Sequence, residues 1–291
     1  MFEGAMVAIV TPFKNGKVDE KKLRELVGFQ IKNGTSAIVP CGTTGESATL
    51  SYEEHERVIE VAIEAANGKA PVIAGTGSNN TAEAIMLTKH AKASGADASL
   101  QVSPYYNKPT QEGLYQHFKK IAEEGALPLI IYNIASRTGI NIEPETMARL
   151  SKVKGIVGVK EASGNLDQMS KIRILCDDKF DLISGDDSLT LPILAIGGTG
   201  VISVVSNIVP GDVASMVSRF KSGDIDGARK MHCKLLPLVK AMFIETNPIP
   251  VKTAMALMGM IDKAELRLPM CNMSEANLAK LKKALKEYGL L

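Results

Sequence analysis

Short apolar runs alternate with amphipathic stretches almost from one end of the chain to the other. Eight of the runs read as strands: residues 7–10, 37–40, 72–76, 98–103, 128–133, 156–161, 181–185 and 200–205. Each is followed by a loop and then by helical periodicity, so the order is βαβα throughout and implies a parallel sheet. The helices carry their own boundaries. Leu23, Leu26, Val27, Gln30 and Ile31 recur at helical spacing in the first, which Gly34 can terminate. Ser51 and Glu54 form a capping-box pattern at the head of a helix over 52–67. Asn165 caps a stretch whose apolar positions Leu166, Met169, Ile172 and Leu175 share one face. Methionines in such stripes are core filling.

Eight βα units without a charge run, low-complexity tract or Pro/Gly linker point to a closed (β/α)8 TIM barrel. A doubly wound sheet has fewer strands and binds its ligand at a switch point. The 291 residues suit a barrel of about 250 residues with an extension. The expected division is a catalytic barrel over 1–224 and a C-terminal helical extension over 225–291. After the eighth strand the pattern is purely helical from about Val213 to Leu291, with Pro248-Ile249-Pro250 as the sharpest interruption.

Composition narrows the function by exclusion. The net charge of +2 and the lack of a basic stripe interleaved with aromatics argue against nucleic acid or a membrane surface as partner. No apolar run reaches the ~18 residues of a membrane span. No basic-then-apolar leader opens the sequence, and Cys41, Cys176, Cys233 and Cys271 show no paired spacing. Both features fit reduced thiols in a cytoplasm. His55, His90, His117 and His232 are scattered and Asp186-Asp187 has no evident partner cluster, so no metal site is expected. Gly75-Thr76-Gly77-Ser78-Asn79-Asn80 begins like a dinucleotide fingerprint but has Asn80 in place of the third glycine, and it falls in the third of eight similar units.

Barrel enzymes carry their chemistry at the carboxyl ends of the strands. The sixth run ends Ile156-Val157-Gly158-Val159-Lys160. A desolvated lysine is a candidate nucleophile, because a neutral amine attacks a carbonyl to form a Schiff base. By two-residue alternation Lys160, Gly158 and Ile156 share a face, as do Tyr132, Ile130 and Pro128 on the fifth run. If both faces point inward, phenol and amine meet at the mouth, and Gly158 leaves room beneath the lysine. A tyrosine beside an imine-forming lysine can move protons. At the end of the second run, Gly42 and Gly45 let backbone approach a ligand, and the hydroxyls of Thr43 and Thr44 can help hold a carboxylate.

The strings GTTGES at 42–47, SPYYNKPTQEGLYQHF at 103–118, YNIASRTG at 132–139, GVKEASGN at 158–165, SGDD at 184–187 and NPIPVK at 247–252 occur in one order. With them the chain resembles, over essentially its whole length, the dihydrodipicolinate synthase family within the N-acetylneuraminate lyase superfamily. The resemblance implies that pyruvate forms a covalent imine on Lys160 with no other cofactor. Its enamine then attacks L-aspartate-4-semialdehyde, and the adduct cyclises and leaves. Tyr132 matches the proton-relay tyrosine, linked through Thr43 to Tyr106, which in the family reaches across from a neighbouring subunit. Thr44 matches a substrate-contacting threonine. Arg137 matches the arginine that pairs with the semialdehyde carboxylate, and Gly185 and Ile202 match positions lining the pyruvate site. The family expectation for assembly is a homotetramer, a dimer of dimers.

Family members commonly have proline where this chain has Ala135, which would loosen the loop that carries Arg137. The resemblance also implies a site for L-lysine as inhibitor at a dimer interface, formed by Ser47, Ala48, Tyr52, His55, Asn79, Glu83 and Tyr105. Tyr52 stands where lysine-inhibited relatives often have histidine. Without the family, His55 and Glu83 read as solvated helix residues. The competing activity is that of N-acetylneuraminate lyase or a keto-deoxy-sugar-acid aldolase. Those enzymes share the lysine and tyrosine but usually lack an arginine at the position of Arg137.

Overall fold

The computed structural model describes residues 2–291. Eight parallel strands form one sheet: β1 (Gly4–Ala8), β2 (Ala37–Val39), β3 (Ile73–Gly75), β4 (Ala98–Val102), β5 (Leu129–Asn133), β6 (Ile156–Glu161), β7 (Asp181–Ser184) and β8 (Gly200–Ser203). The hydrogen-bonded order is β2-β1-β8-β7-β6-β5-β4-β3. A parallel bridge between Ile38 and Val72 joins the two ends, so the sheet closes. This is a (β/α)8 TIM barrel, as the alternation implied. A two-rung hairpin, Phe13–Lys14 with Lys17–Val18, lies between β1 and the first helix, Glu20–Lys32.

The core divides into an interior and two outer arcs. Met6, Ala8, Val39, Ile73, Leu100, Ile130, Ile183 and Ile202 fill the lumen with Tyr132. The alternate side chains of the same strands pack outward. One arc joins Leu23, Ile59 and Val217 to Leu238, Val251 and Leu285. The other joins Leu114, Phe118 and Ile121 to Leu150, Val159 and Ile172. At ~25 cal/mol per Å² of buried apolar surface, these layers supply the rigid frame on which the strand ends sit. Caps fall where the sequence placed them. Ser51 and Glu54 satisfy each other's backbone amides in a full capping box, and Asn165 accepts from Gln168 N. The first helix stops at Lys32, and Gly34 takes φ +84 just beyond it.

Two expectations need correction. The first strand begins at Gly4, three residues before its expected start, because Gly4–Val7 pair with β8 while Met6–Ala8 pair with β2. The last part of the chain is not purely helical. Helices Pro210–Lys221, Ile225–Met242, Ile249–Leu257 and Glu275–Tyr288 are interrupted by a long irregular stretch over 258–274. That stretch is held by the barrel rather than by its own ladder. Arg267 reaches back to the carbonyls of Gly16 and Thr49 and to both oxygens of Glu54. The Pro248–Pro250 segment marks a helix start: the Asn247–Pro248 bond is cis, and Pro250 sits in the first turn of the helix from Ile249.

Candidate active site

Strands β5 and β6 pair in register, Tyr132 opposite Lys160 and Asn133 opposite Glu161. The Lys160 Nζ lies 4.1 Å from the centre of the Tyr132 ring. The two groups that alternation placed on converging faces therefore meet at the barrel mouth. Lower on the strand the alternation fails. The register shifts between Leu129 and Ile130, so Ile156 packs in the outer core and Val157 leans on the interior. Gly158 is glycine for another reason than expected: a Cβ there would lie 2.7 Å from the Asp181 carbonyl oxygen, so its space belongs to β7 rather than to the lysine.

Lys160 is 5% exposed. Burial pulls its amine down to about 7, Asp187 opposes the fall and Arg137 adds to it. Among the described residues it makes no ion pair. Burial likewise pushes the Tyr132 phenol up to about 12, against the pull of Arg137 and a hydrogen bond with Thr43. The site thus combines an amine that deprotonates near neutrality with a phenol that keeps its proton. Gly185 packs against the lysine stem. A Cβ at Gly185 would sit 3.1 Å from Lys160 Cγ and 2.8 Å from Ala162 Cβ. Ile202 lies in the same interior layer as Tyr132.

The loop after β2 brings Thr43 to Tyr132 and is itself bent. Cys41 and Glu46 flank it with φ of 55 and 53, in the left-handed region that costs a non-glycine residue about 1–2 kcal/mol. Its anchor is a buried ion pair that the sequence reading did not single out. Lys252 Nζ donates to Glu46 Oε1 at 2.6 Å and to the Thr11 carbonyl at 2.9 Å, and lies 4.2 Å over the Phe13 ring. Arg267 N donates to the second oxygen of Glu46. Asn247 extends the same connection: its Nδ2 donates to Thr44 Oγ1 at 2.9 Å, and its carbonyl accepts from Arg137 at 3.2 Å. The string NPIPVK marked both residues, but nothing in its pattern told which loop they would meet.

Arg137 sits in a single helical turn, Ala135–Thr138, closed by Gly139 N donating to the Ala135 carbonyl. The turn forms with Ala135 as its first residue. Thr138 Oγ1 donates within hydrogen-bond range of the carbonyls of Ile134 and Ile140. Behind the loop a buried polar network, also missed in the sequence, links Asn133, Asn141, Glu161 and Gln168. Burial raises the Glu161 carboxyl, and its hydrogen bonds from Asn133 and Ser163 oppose that rise. Asp187, which faces Lys160 electrostatically, accepts from the amides of Val204 and Val205.

Tyr106 stands apart from this cluster, 89% exposed with φ +68. The residues named for lysine binding gather on the flank beside it. The Glu83 carboxylate holds the Tyr52 phenol above its ordinary value and acts on Tyr105 as well, and Asn79 Nδ2 donates to the Tyr105 carbonyl. Ser47 and Ala48 form a short turn at the rim. His55 is not solvated: it is buried, with Nε2 2.7 Å from the Gly75 carbonyl. Gly75 and Gly77 are explained by packing, since a Cβ at either would collide with the backbone of Cys41 or of Val102. Among the described residues, no group of three or more His, Cys, Asp or Glu is arranged to hold a metal ion. No helix there is long and apolar enough to cross a membrane.

Residues 1–288 match the model of the dihydrodipicolinate synthetase family. The 4-hydroxy-tetrahydrodipicolinate synthase of Syntrophus aciditrophicus is 61% identical over 291 residues, all of both chains. The crystal structure of dihydrodipicolinate synthase from Aquifex aeolicus superposes with a TM-score of 0.97 at 52% identity, covering 99% of each chain. The lysine-bound enzyme of Cyanidioschyzon merolae gives 0.96 at 43% identity, over 100% of this chain and 99% of that one.

Proposed function

Because the chain belongs to the dihydrodipicolinate synthetase family, we propose that it condenses pyruvate with L-aspartate-4-semialdehyde to give 4-hydroxy-tetrahydrodipicolinate, at the diaminopimelate and lysine branch point. One observation carries the mechanism: a buried lysine that makes no ion pair among the described residues lies against a buried tyrosine at the mouth of a barrel. With its amine near 7, about half of Lys160 is neutral at pH 7. That fraction is on the order of a thousand times larger than for an ordinary lysine.

The neutral amine attacks the pyruvate keto carbon, and water leaves as the imine forms. Loss of a methyl proton gives the enamine, whose carbon attacks the aldehyde of the semialdehyde. The amino group of the adduct then displaces Lys160, closing the ring and freeing the enzyme. Tyr132 passes protons to and from these intermediates through Thr43, and Tyr106 of a second copy completes the relay. Thr43, Thr44 and Gly185 hold the pyruvate carboxylate and Ile202 lines its pocket. Arg137 receives the semialdehyde carboxylate, for which a guanidinium fork is suited. The imine on Lys160 makes an external cofactor unnecessary.

Residues 1–224 serve as the catalytic barrel and 225–291 as the extension that braces its mouth. The chain works in the cytoplasm as a homotetramer, and the exposure of Tyr106 supports a need for a partner. Lysine binds at Glu83, with Ser47, Ala48, His55, Asn79 and Tyr105 around it. Steady-state assays of pyruvate with aspartate semialdehyde against pyruvate with sugar aldehydes test the substrate. Turnover with N-acetylmannosamine and none with the semialdehyde would transfer the chain to the sialic-acid lyase reading. Millimolar lysine is expected to slow the semialdehyde reaction, and an unchanged rate would remove the effector site.

A further inference from the structure

We propose that Glu161 is a positioning residue: through Asn133 it locks the β5–β6 register that sets Tyr132 against Lys160, and through Asn141 it fixes both ends of the Arg137 loop. The inference rests on the Schiff-base reading of Lys160. Glu161 is fully buried beside that lysine in sequence and therefore on the opposite face of the strand. Its Oε1 accepts from Ser163 N at 2.7 Å, and its Oε2 accepts from Asn133 Nδ2 at 3.0 Å and Gln168 Nε2 at 3.4 Å. With three donors aimed at it and no route to the lumen, this carboxylate is not placed to exchange protons with substrate.

A buried carboxylate without a cation is a costly way to hold two strands together, and an apolar pair of similar size would do so more cheaply. What the polar pair adds is register. A slip of one residue turns every side chain of a strand to the other face and would carry Lys160 out of the lumen. The β5–β6 ladder already shifts once, between Leu129 and Ile130, only a few residues below the site. Above the shift, Asn133 and Glu161 form the rung next to Tyr132 and Lys160, and only in that rung does the amide meet the carboxylate.

The same amide reaches the loop. Asn133 Nδ2 donates to Asn141 Oδ1 at 2.9 Å, and Asn133 Oδ1 accepts from Ile142 N at 3.0 Å. Gln168 closes the circuit with Asn141 at 2.8 and 3.1 Å. The turn bearing Arg137 is therefore strung between two residues that share one anchor, which couples the position of the guanidinium to that of the amine.

The test compares Glu161→Gln, Asn133→Asp, the Glu161→Gln/Asn133→Asp double variant and Gln168→Met with the wild type. It reads the rate of cyanoborohydride trapping of pyruvate on Lys160, kcat, KM for each substrate, and Tm. A wild type that forms no adduct on Lys160 would overturn the Schiff-base reading itself, independently of the variants. With the adduct present, each single variant at 161 or 133 is expected to lose on the order of tenfold to a hundredfold in trapping rate and kcat. The double variant, which rebuilds an amide–carboxylate pair with reversed polarity, is expected to regain about tenfold over the worse single variant. Gln168→Met, which removes the links to Asn141 and only the longest of the three contacts to Glu161, is expected to raise the semialdehyde KM several-fold and leave trapping unchanged. Lower Tm with wild-type rates in Glu161→Gln, or a double variant no better than the worse single, would reduce the network to ordinary packing and overturn the proposal. If the variants at 161 and 133 do not fold, Gln168→Met decides: an unchanged semialdehyde KM overturns it.

Discussion

Two buried lysines sit near the mouth of this barrel, and they are held in opposite ways. Lys252 is fully buried and salt-bridged to Glu46 at 2.6 Å, with a carbonyl and an aromatic face completing its shell. Lys160 is nearly as buried but has the Tyr132 ring and, among the described residues, no carboxylate in ion-pair range. Burial pulls both amines down, and of the two only Lys252 donates a direct hydrogen bond to a carboxylate, Glu46, that pulls it back. The first arrangement keeps a charge in place to fix a strained loop. The second holds an amine that burial pulls down to about 7. Desolvation alone does not make a lysine reactive; desolvation without a partner does.

Substitution at each lysine separates the two roles. Lys160→Met is expected to lower kcat on the order of 10⁴-fold or more, because it removes the proposed nucleophile. Its thermal midpoint, followed by circular dichroism, is expected to hold or rise, since an unpaired buried amine is replaced by an apolar isostere. A clear fall in Tm would contradict this view of Lys160. Lys252→Met strands the Glu46 carboxylate and is expected to cost about 3–5 kcal/mol of stability. Adding Glu46→Gln should recover much of the loss, and no recovery would show that the pair is not what anchors the loop.

The pH dependence of stability is a finer test. Between about 7 and the ordinary lysine range near 10.4, the unfolded chain binds a proton at Lys160 that the folded chain does not. Stability attributable to Lys160 therefore rises with pH through that window, and the penalty is fully present below it. The wild type minus Lys160→Met difference in urea unfolding isolates the effect, and a difference flat from pH 7 to 10 would contradict it. The smallest change expected is for Ala135→Pro. Ala135 opens the turn at a position where proline is well accommodated, so kcat/KM should stay within about twofold of wild type.

The barrel and the Lys160–Tyr132 encounter were legible in the sequence because both follow from period: strand alternation, helix periodicity and the unit count. The caps at Ser51 and Asn165 were legible for the same local reason. What escaped depends on contacts between distant segments. Glu46 and Lys252 are some two hundred positions apart, and Arg267 crosses a similar distance to Glu54. Neither end carries a local mark of its partner. The face of Ile156 was misjudged because one register shift breaks the alternation that inferred it. His55 was expected in solvent because a histidine on an amphipathic helix usually is, whereas here a strand-end carbonyl holds it.

The Schiff-base proposal requires that Lys160, a buried amine with no ion pair among the described residues, titrates near neutrality and bonds pyruvate. Cyanoborohydride trapping of pyruvate across pH 6 to 9, followed by peptide mass spectrometry, tests it most directly. A carboxyethyl adduct is expected on Lys160 and none on Lys252, forming about tenfold faster per pH unit below about 7 and levelling above. No adduct on Lys160, or a rate that keeps climbing as an ordinary lysine's would, contradicts it.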